Sequence, residues 1–291
     1  MDQTLHDPPP FDLAAAPLRV GAVALRVRDL DRVVRFYEDI LGLSITCEAG
    51  SVARLGAGGT TLVELRGDPA HEPADPRFAG LFHLALRVPG RADLARWLRH
   101  AARMGVELQG ASDHVVSEAL YLADPEGNGI ELYADRPMAA WRDEAGALRM
   151  PSEPLDLEAF AAGGDGPPAG VPGGTEIGHL HLRVGALAPA ERWAVGVLGM
   201  EVTHRYPGGS FFGAGGYHHQ IAANVWTSRG AVAPRPEGMA GLHGYALYLP
   251  GAAERDAVAG RAEAAGLAAA PGGFVDPWGA HVCLEDARGA G

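Results

Sequence analysis

Cysteine is nearly absent: Cys47 and Cys283 are the only two in 291 residues. That excludes a disulfide framework and a Cys-rich structural zinc site. Both thiols are expected to be free and buried, which suits a reducing compartment. Positive charge is also scarce, with 24 Lys and Arg against 36 Asp and Glu and a formal net charge of −12. Nucleic-acid binders concentrate positive charge, so nucleic acid is excluded as a partner. No apolar run approaches the roughly 20 residues that a membrane helix needs, and residues 1–17 have neither the basic start nor the long apolar core of a secretory leader. No membrane partner is therefore expected, and the expected location is cytoplasmic. Residues 1–17 read as a disordered tail, most clearly from Asp2 to Pro10.

At 47% hydrophobic and 21% charged residues, the rest of the chain has the composition of a globular protein long enough for two cored domains. Its main feature is internal repetition. Gly21-Ala-Val-Ala-Leu-Arg-Val27, Phe82-His-Leu-Ala-Leu-Arg-Val88, Gly178-His-Leu-His-Leu-Arg-Val184 and Gly241-Leu-His-Gly-Tyr-Ala-Leu-Tyr-Leu249 are versions of one alternating strand. After the first, Leu30, Val33, Val34, Tyr37 and Leu41 recur at helical spacing, with Asp29 as N-cap and Gly42 as the stop. The third copy runs from Leu187 to Met200 with the same Leu-Gly exit. Arg91 to Gly105 and Ala252 to Gly266 are longer Ala/Arg-rich helices in the second and fourth.

Period-two runs follow each helix: Ser44 to Glu48, Ser51 to Leu55 and Thr61 to Arg66; Glu118 to Leu122 and Gly129 to Tyr133; Glu201 to Tyr206, Ser210 to Phe212 and His218 to Trp226; Phe274 and Ala280 to Glu285. The fold class is therefore α+β, four β-α-β-β-β modules. Modules two and four share an Asp-Pro-x-Gly turn at Asp124 and Asp276. The domains expected are 18–135, holding modules one and two, and 177–286, holding modules three and four. Between them, 136–176 is a linker with a short surface helix near Pro154 to Ala162 and a Gly/Pro-rich stretch, Gly163 to Gly174.

Placing the first strands in register aligns His83 with His179, and with Ala22 and Gly244. Placing the last strands in register aligns Glu64 with Glu131, and with Cys283. Two histidines and a glutamate on one face leave adjacent coordination positions open, the arrangement of non-haem ferrous sites that take a bidentate substrate together with dioxygen. His181 is the rival to His179, since a residue two positions on faces the same side of a strand.

The module order, with Phe36-Tyr-Glu-Asp-Ile-Leu-Gly-Leu43 and Asp124-Pro-Glu-Gly-Asn-Gly-Ile-Glu131, resembles the vicinal oxygen chelate superfamily of glyoxalases, bleomycin resistance proteins and extradiol dioxygenases. The resemblance runs from Leu18 to Glu285, and four modules resemble the two-domain, catechol 2,3-dioxygenase-like branch. It implies two sheet-cups, a metal held by inward first-strand and last-strand residues, and a cup of modules two and three offering His83, Glu131 and His179 to Fe(II) or Mn(II). A cup of modules one and four would be metal-poor. The same resemblance implies a catalytic shell of Tyr121, ten residues before Glu131, with His114 upstream and His219 as the second residue of a His-His pair, His218 alternating to the opposite face. His114 or Tyr121 would take a phenolic proton, Tyr121 would steady the substrate oxygen, and His219 would assist dioxygen and return a proton. Phe211, Phe212, Tyr217 and Trp226 are candidates for the pocket wall. The implied activity is extradiol cleavage of a small aromatic diol by dioxygen, within aromatic catabolism. Two readings compete with it: a glyoxalase-like lyase or isomerase using Glu64, His83 and Glu131, and a non-catalytic binder of aromatic or antibiotic ligands. The substrate's substituents and the oligomeric state, homo-oligomer or not, stay open.

Overall fold

The alternation of apolar side chains that marks β1 (Arg19–Val27) buries Val23, Leu25 and Val27 completely, in a computed structural model that describes residues 11–231 and 234–287. Asp29 accepts a hydrogen bond from the Arg32 amide at 3.1 Å and so caps α1 (Leu30–Phe36). The chain then widens into one π-type turn, Tyr37–Leu41, and stops at Gly42, where φ is 80°. Strands β2 (Ser44–Ala49), β3 (Val52–Ala57) and β4 (Thr60–Gly67) complete module one. Module two is β5 (Gly80–Arg87), α2 (Arg91–Arg103), β6 (Gly110–Asp113), β7 (Ser117–Ala123) and β8 (Gly129–Asp135). A connecting stretch adds β9 (Glu153–Pro154) and α3 (Leu157–Ala162). Module three is β10 (Glu176–Arg183), α4 (Leu187–Gly196), β11 (Glu201–Tyr206), β12 (Gly209–Gly213) and β13 (Ile221–Asn224). Module four is β14 (Gly241–Leu249), α5 (Ala252–Ala264), β15 (Ala269–Ala270), β16 (Gly273–Val275) and β17 (His281–Asp286).

The architecture is α+β with two curled sheets, each drawing on both halves of the chain. Modules one and four build an eight-stranded sheet in the order β15-β16-β17-β14-β1-β4-β3-β2. Modules two and three, with β9, build a nine-stranded one in the order β11-β12-β13-β10-β5-β8-β7-β6-β9. In each, two first strands meet antiparallel, β1 with β14 and β5 with β10, and every first strand pairs in parallel with the last strand of its own module. The middle of each sheet is therefore where first-strand and last-strand side chains stand next to each other. Leu84, Leu86, Leu180 and Leu182 point away from the cup into a core shared by both sheets. Their alternating neighbours His83, Ala85, His179 and His181 are left on the inner face.

Several expectations are corrected. Residues 11–17 are not a disordered tail: Asp12 caps a 3-10 turn, Leu13–Ala15, and Leu13 is buried with Val116, Trp141, Met150 and Tyr217. The apolar side chains of Phe11 and Leu13 supply the burial that holds the segment, while the expectation for Asp2 to Pro10 lies outside the described residues. Cys47 is exposed, on a strand whose six residues all face solvent, and Cys283 is half-buried, so the thiols are not the buried pair expected. The short linker helix is more than a surface element, because Phe160 is buried and the Arg91 guanidinium lies 4.3 Å from its ring centroid. The Gly/Pro stretch docks as well: the Val171 amide donates to the Leu41 carbonyl at 2.8 Å, and Gly170 lies so close to Gly42 that a Cβ on either would come within 2.5 Å of the other's Cα.

Candidate metal centre and pocket

Three buried side chains converge on the inner face of the sheet formed by modules two and three. On β8, Glu131 pairs with Ala85 of β5, and Ala85 pairs with His179 of β10, so the carboxylate and one imidazole flank the small side chain of alanine. His83 stands two residues along β5. Its Nε2 lies 2.9 Å from Glu131 Oε2, His179 Nε2 lies 3.1 Å from the same oxygen, and the two nitrogens are 3.3 Å apart. Among the described residues this is the one group of three or more His, Cys, Asp or Glu whose donor atoms come close enough for one ion, all within 4.8 Å of one another.

Burial would raise the Glu131 carboxyl, but His179 and His83 hold it well below the usual carboxylate range. Burial pushes His179 down against the pull of Glu131. An ionised carboxylate beside an imidazole pushed towards its neutral form suits a metal, which takes its ligands deprotonated. Two nitrogens and one oxygen suit a divalent transition ion with positions left free. The set fits neither the all-oxygen shell of calcium nor the thiolate shell of structural zinc. Among the described residues His179 Nδ1 is buried without a hydrogen-bond partner, and its ring packs at a tilt against two others, 4.2 Å from the His219 ring and 5.0 Å from that of Tyr133.

Around the trio the sequence-derived shell assembles. Tyr121 of β7 pairs with Glu131 across the ladder, and its hydroxyl lies 2.7 Å from His114 Nε2. The opposite nitrogen, Nδ1, is 2.6 Å from the Pro151 carbonyl and must donate to it, so in neutral His114 Nε2 is the acceptor for the tyrosine. His114 is aimed by a strained turn. Val115 has φ of 69°, an outlier for a β-branched residue, and its amide donates to Asp113 Oδ1 at 2.8 Å. Burial raises the Tyr121 hydroxyl well above its ordinary value, with Glu131 adding to the effect. His181 faces His83 across the β5–β10 ladder but does not join the trio; its Nε2 lies 3.0 Å from the Asn224 amide.

His219 is buried, and burial together with His179 and His218 holds its imidazole well below the ordinary value. The expected alternation of His218 to the opposite face is overturned. The strand expected from His218 begins only at Ile221; ahead of it Gly215 and Gly216 have positive φ, and a turn has no two-residue alternation. Both rings therefore turn inward, with their Nδ1 atoms 2.8 Å apart. His218 Nε2 reaches Asp135 Oδ1 at 2.9 Å. Asp135, Tyr133 and Arg87 were missed as site residues, although Glu131, Tyr133 and Asp135 alternate along β8 and so share its inner face.

The trio, Tyr121, His114, His181 and His219 line a cavity of about 360 Å³, walled by Phe82, Phe211, Tyr206 and Trp226. Among the described residues that line it there is no Arg or Lys. Phe211 and Trp226 thus stand where expected. Phe212 and Tyr217 do not, being fully buried behind the wall. In the other sheet Glu64 is clamped by Arg54 and Arg66, each at 2.7 Å, so its oxygens are committed to guanidinium groups. No described helix is long and apolar enough to cross a membrane.

The family model of the Glyoxalase/Bleomycin resistance protein/Dioxygenase superfamily matches residues 19–132 and again 176–290. The chain is 39% identical over 253 residues to a Catechol-2,3-dioxygenase of Bacillus subtilis (strain 168), covering 85% of this chain and 88% of that protein. Over 124 residues, 40% of this chain and 63% of the other, it is 29% identical to Biphenyl-2,3-diol 1,2-dioxygenase 3 of Rhodococcus globerulus. Among solved structures, glyoxalase I from Zea mays superposes with a TM-score of 0.57 at 18% identity, covering 93% of each chain, a likeness of fold. With the family's signature present in both halves and four modules closing two sheets, the chain belongs to the Glyoxalase/Bleomycin resistance protein/Dioxygenase superfamily.

Proposed function

We propose that the protein is an extradiol ring-cleaving dioxygenase acting on a catechol-type aromatic, with Fe(II), or alternatively Mn(II), held by His83, Glu131 and His179. The observation that carries this reading is the convergence of those three buried donors on the wall of a cavity that also exposes Tyr121, His114 and His219. The 39% identity to the Bacillus subtilis Catechol-2,3-dioxygenase supports it. The metal, when bound, brings the diol and dioxygen together and acidifies the diol's hydroxyl groups.

The protein's part is proton management and exclusion of water. His114 Nε2 accepts from the Tyr121 hydroxyl, so a proton released by the substrate next to Tyr121 can pass along that bond while Tyr121 keeps a hydrogen bond to the substrate oxygen. His219, whose imidazole burial holds towards the neutral form, would take up a second proton from the diol and give it back before the product leaves. Both oxygen atoms end in the product, a ring-opened hydroxymuconic semialdehyde-type acid. The apolar wall of Phe82, Phe211 and Trp226, with no Arg or Lys among the described lining residues, favours an uncharged ring over a carboxylated one, whose anion would be desolvated there. The glyoxalase-like alternative loses its support, since Glu64 lies in the other sheet, bound to Arg54 and Arg66.

The test is metal analysis combined with a catechol assay. Iron or manganese in the purified protein and a yellow ring-fission product support the proposal. Nickel or zinc with thiol-dependent activity, or a metal-free protein that only binds the aromatic, overturns it.

A further inference from the structure

Behind His219 runs a buried chain of hydrogen bonds that the cavity does not reach. Asp135 sits at its end, with a side chain only 1% exposed. Its Oδ2 accepts from Arg87 at 2.8 Å, its Oδ1 lies 2.9 Å from His218 Nε2, and the Tyr217 hydroxyl donates to it at 3.0 Å. Tyr133 in turn donates to the Tyr217 oxygen at 2.7 Å. Three donors on one carboxylate, one of them a guanidinium, keep it ionised: burial would raise it, but His218 and Arg87 hold it below its ordinary value. A carboxylate only accepts, so His218 must carry its proton on Nε2, and in neutral His218 Nδ1 is a bare lone pair. With His218 in that neutral form, the 2.8 Å contact between the two Nδ1 atoms places the proton on His219 Nδ1.

We propose that Asp135 and His218 are positioning residues for the dioxygenase reaction, forming a relay that fixes His219 as its Nδ1–H tautomer and leaves its Nε2 lone pair for the cavity. This rests on the reading of His219 as the group that takes up and returns a proton. When a proton arrives at Nε2, the Nδ1 proton moves to His218 Nδ1, and the positive charge comes to rest on the ring hydrogen-bonded to Asp135. The reverse shift delivers the proton back. His219 thus accepts before it donates, in that order, and the charge rests on the ring bonded to Asp135.

The relay is tested by nitrogen NMR of the full-length chain with histidine labelled in ¹⁵N, loaded with Zn(II) as a diamagnetic probe, alongside steady-state turnover of catechol by the iron form. In the wild type, His219 should show a protonated Nδ1 and an unprotonated Nε2. Asp135→Asn presents an amide N–H to His218, which reverses its tautomer and, through the shared contact, that of His219. The NMR signature should invert, and kcat should fall about 10²- to 10⁴-fold while KM stays within a few-fold. His218→Gln, which keeps the Arg87–Asp135 pair, should lower kcat in the same range without moving KM. A wild-type His219 protonated at Nε2, an Asp135→Asn spectrum with the tautomer unchanged, or wild-type kcat in His218→Gln would each overturn the relay. Absence of catechol cleavage by the wild type would instead defeat the proposed function, and the NMR signature would then judge the tautomer by itself.

Discussion

Gly178 precedes a proposed metal ligand, and its lack of a side chain has a calculable consequence. A Cβ there would lie 1.7 Å from the Tyr133 hydroxyl oxygen, 2.6 Å from the carbon that bears it and 3.0 Å from Arg87 Cβ. Tyr133 is fully buried, and its hydroxyl is bonded to Tyr217 at 2.7 Å, so Gly178→Ala must shift the ring and break that bond. Overpacking of this kind costs about 1–3 kcal/mol, and a buried hydroxyl left without its partner about 1 kcal/mol more. A total near 3 kcal/mol at roughly 2–4 °C per kcal/mol for a chain of about this size gives a fall in Tm of about 10 °C. The displaced ring also loses its packing against His179, 5.0 Å away, so metal content should drop with stability. The assay is a double-mutant cycle by thermal melting of metal-free protein. Tyr133→Phe alone should cost about 1 kcal/mol, and in the Gly178→Ala background it should relieve part of the clash, making the pair less damaging than the sum. Additivity within about 0.5 kcal/mol, or a Gly178→Ala protein that melts with the wild type, would refute the reasoning.

Replacing His83, Glu131 or His179 with Ala should abolish metal occupancy, measured by elemental analysis, while circular dichroism shows the fold retained; Glu64→Gln should keep its metal, and the opposite result would move the site to the other sheet. His219→Asn keeps a hydrogen-bonding group but no proton carrier at neutral pH, so it should retain iron and bind catechol anaerobically while turnover under air falls about 10²- to 10⁴-fold; loss of iron would make His219 a ligand. Burial raises the Asp276 carboxyl from 3.8 to about 6, against hydrogen bonds from Ala280, Trp278, Tyr245 and Gly279. The folded state then holds the proton more tightly than the unfolded one, so this group's contribution to stability falls as pH rises from about 4 to about 6. Denaturant titrations at several pH values should find that part of the slope missing in Asp276→Asn, and an identical slope in the variant would exclude Asp276 as its source.

The repeat made much of this legible in advance. Register between copies pointed to His83, Glu131 and His179 as residues at matching places of their modules, and their donor atoms do converge, although the β5–β10 pairing is irregular on either side of the β10 histidines. Tyr121 followed instead from the family resemblance, which implies a tyrosine ten residues before the glutamate, and the structure pairs it with Glu131 across β7 and β8. What escaped lies where that periodicity lapses. His218 sits in a turn ahead of β13, so counting by twos sent it to the opposite face. Asp135 ends β8, where alternation still held but no familiar spacing marked it. Phe11 and Leu13 looked like tail because their partners, Trp141 and Tyr217 among them, lie far along the chain, and the exposure of Cys47 reflects the fully solvent-facing strand β2.

The crossing of modules between sheets divides the chain unequally in time. The site-bearing sheet closes when Leu84 meets Leu180, whereas the other waits for Val23 to find Tyr245 across the entire intervening chain. Each doubling of a flexible loop adds only about 0.6 kcal/mol of closure entropy, so the difference in stability is small. Its effect falls on order, since distant pairings are the slow ones to form. The middle of the chain can assemble the pocket from modules two and three, joined through the linker, while modules one and four remain loose arms. Those arms form a clasp on the apolar backs of β5 and β10, where Leu84 and Leu180 share one core with Val23 and Leu25.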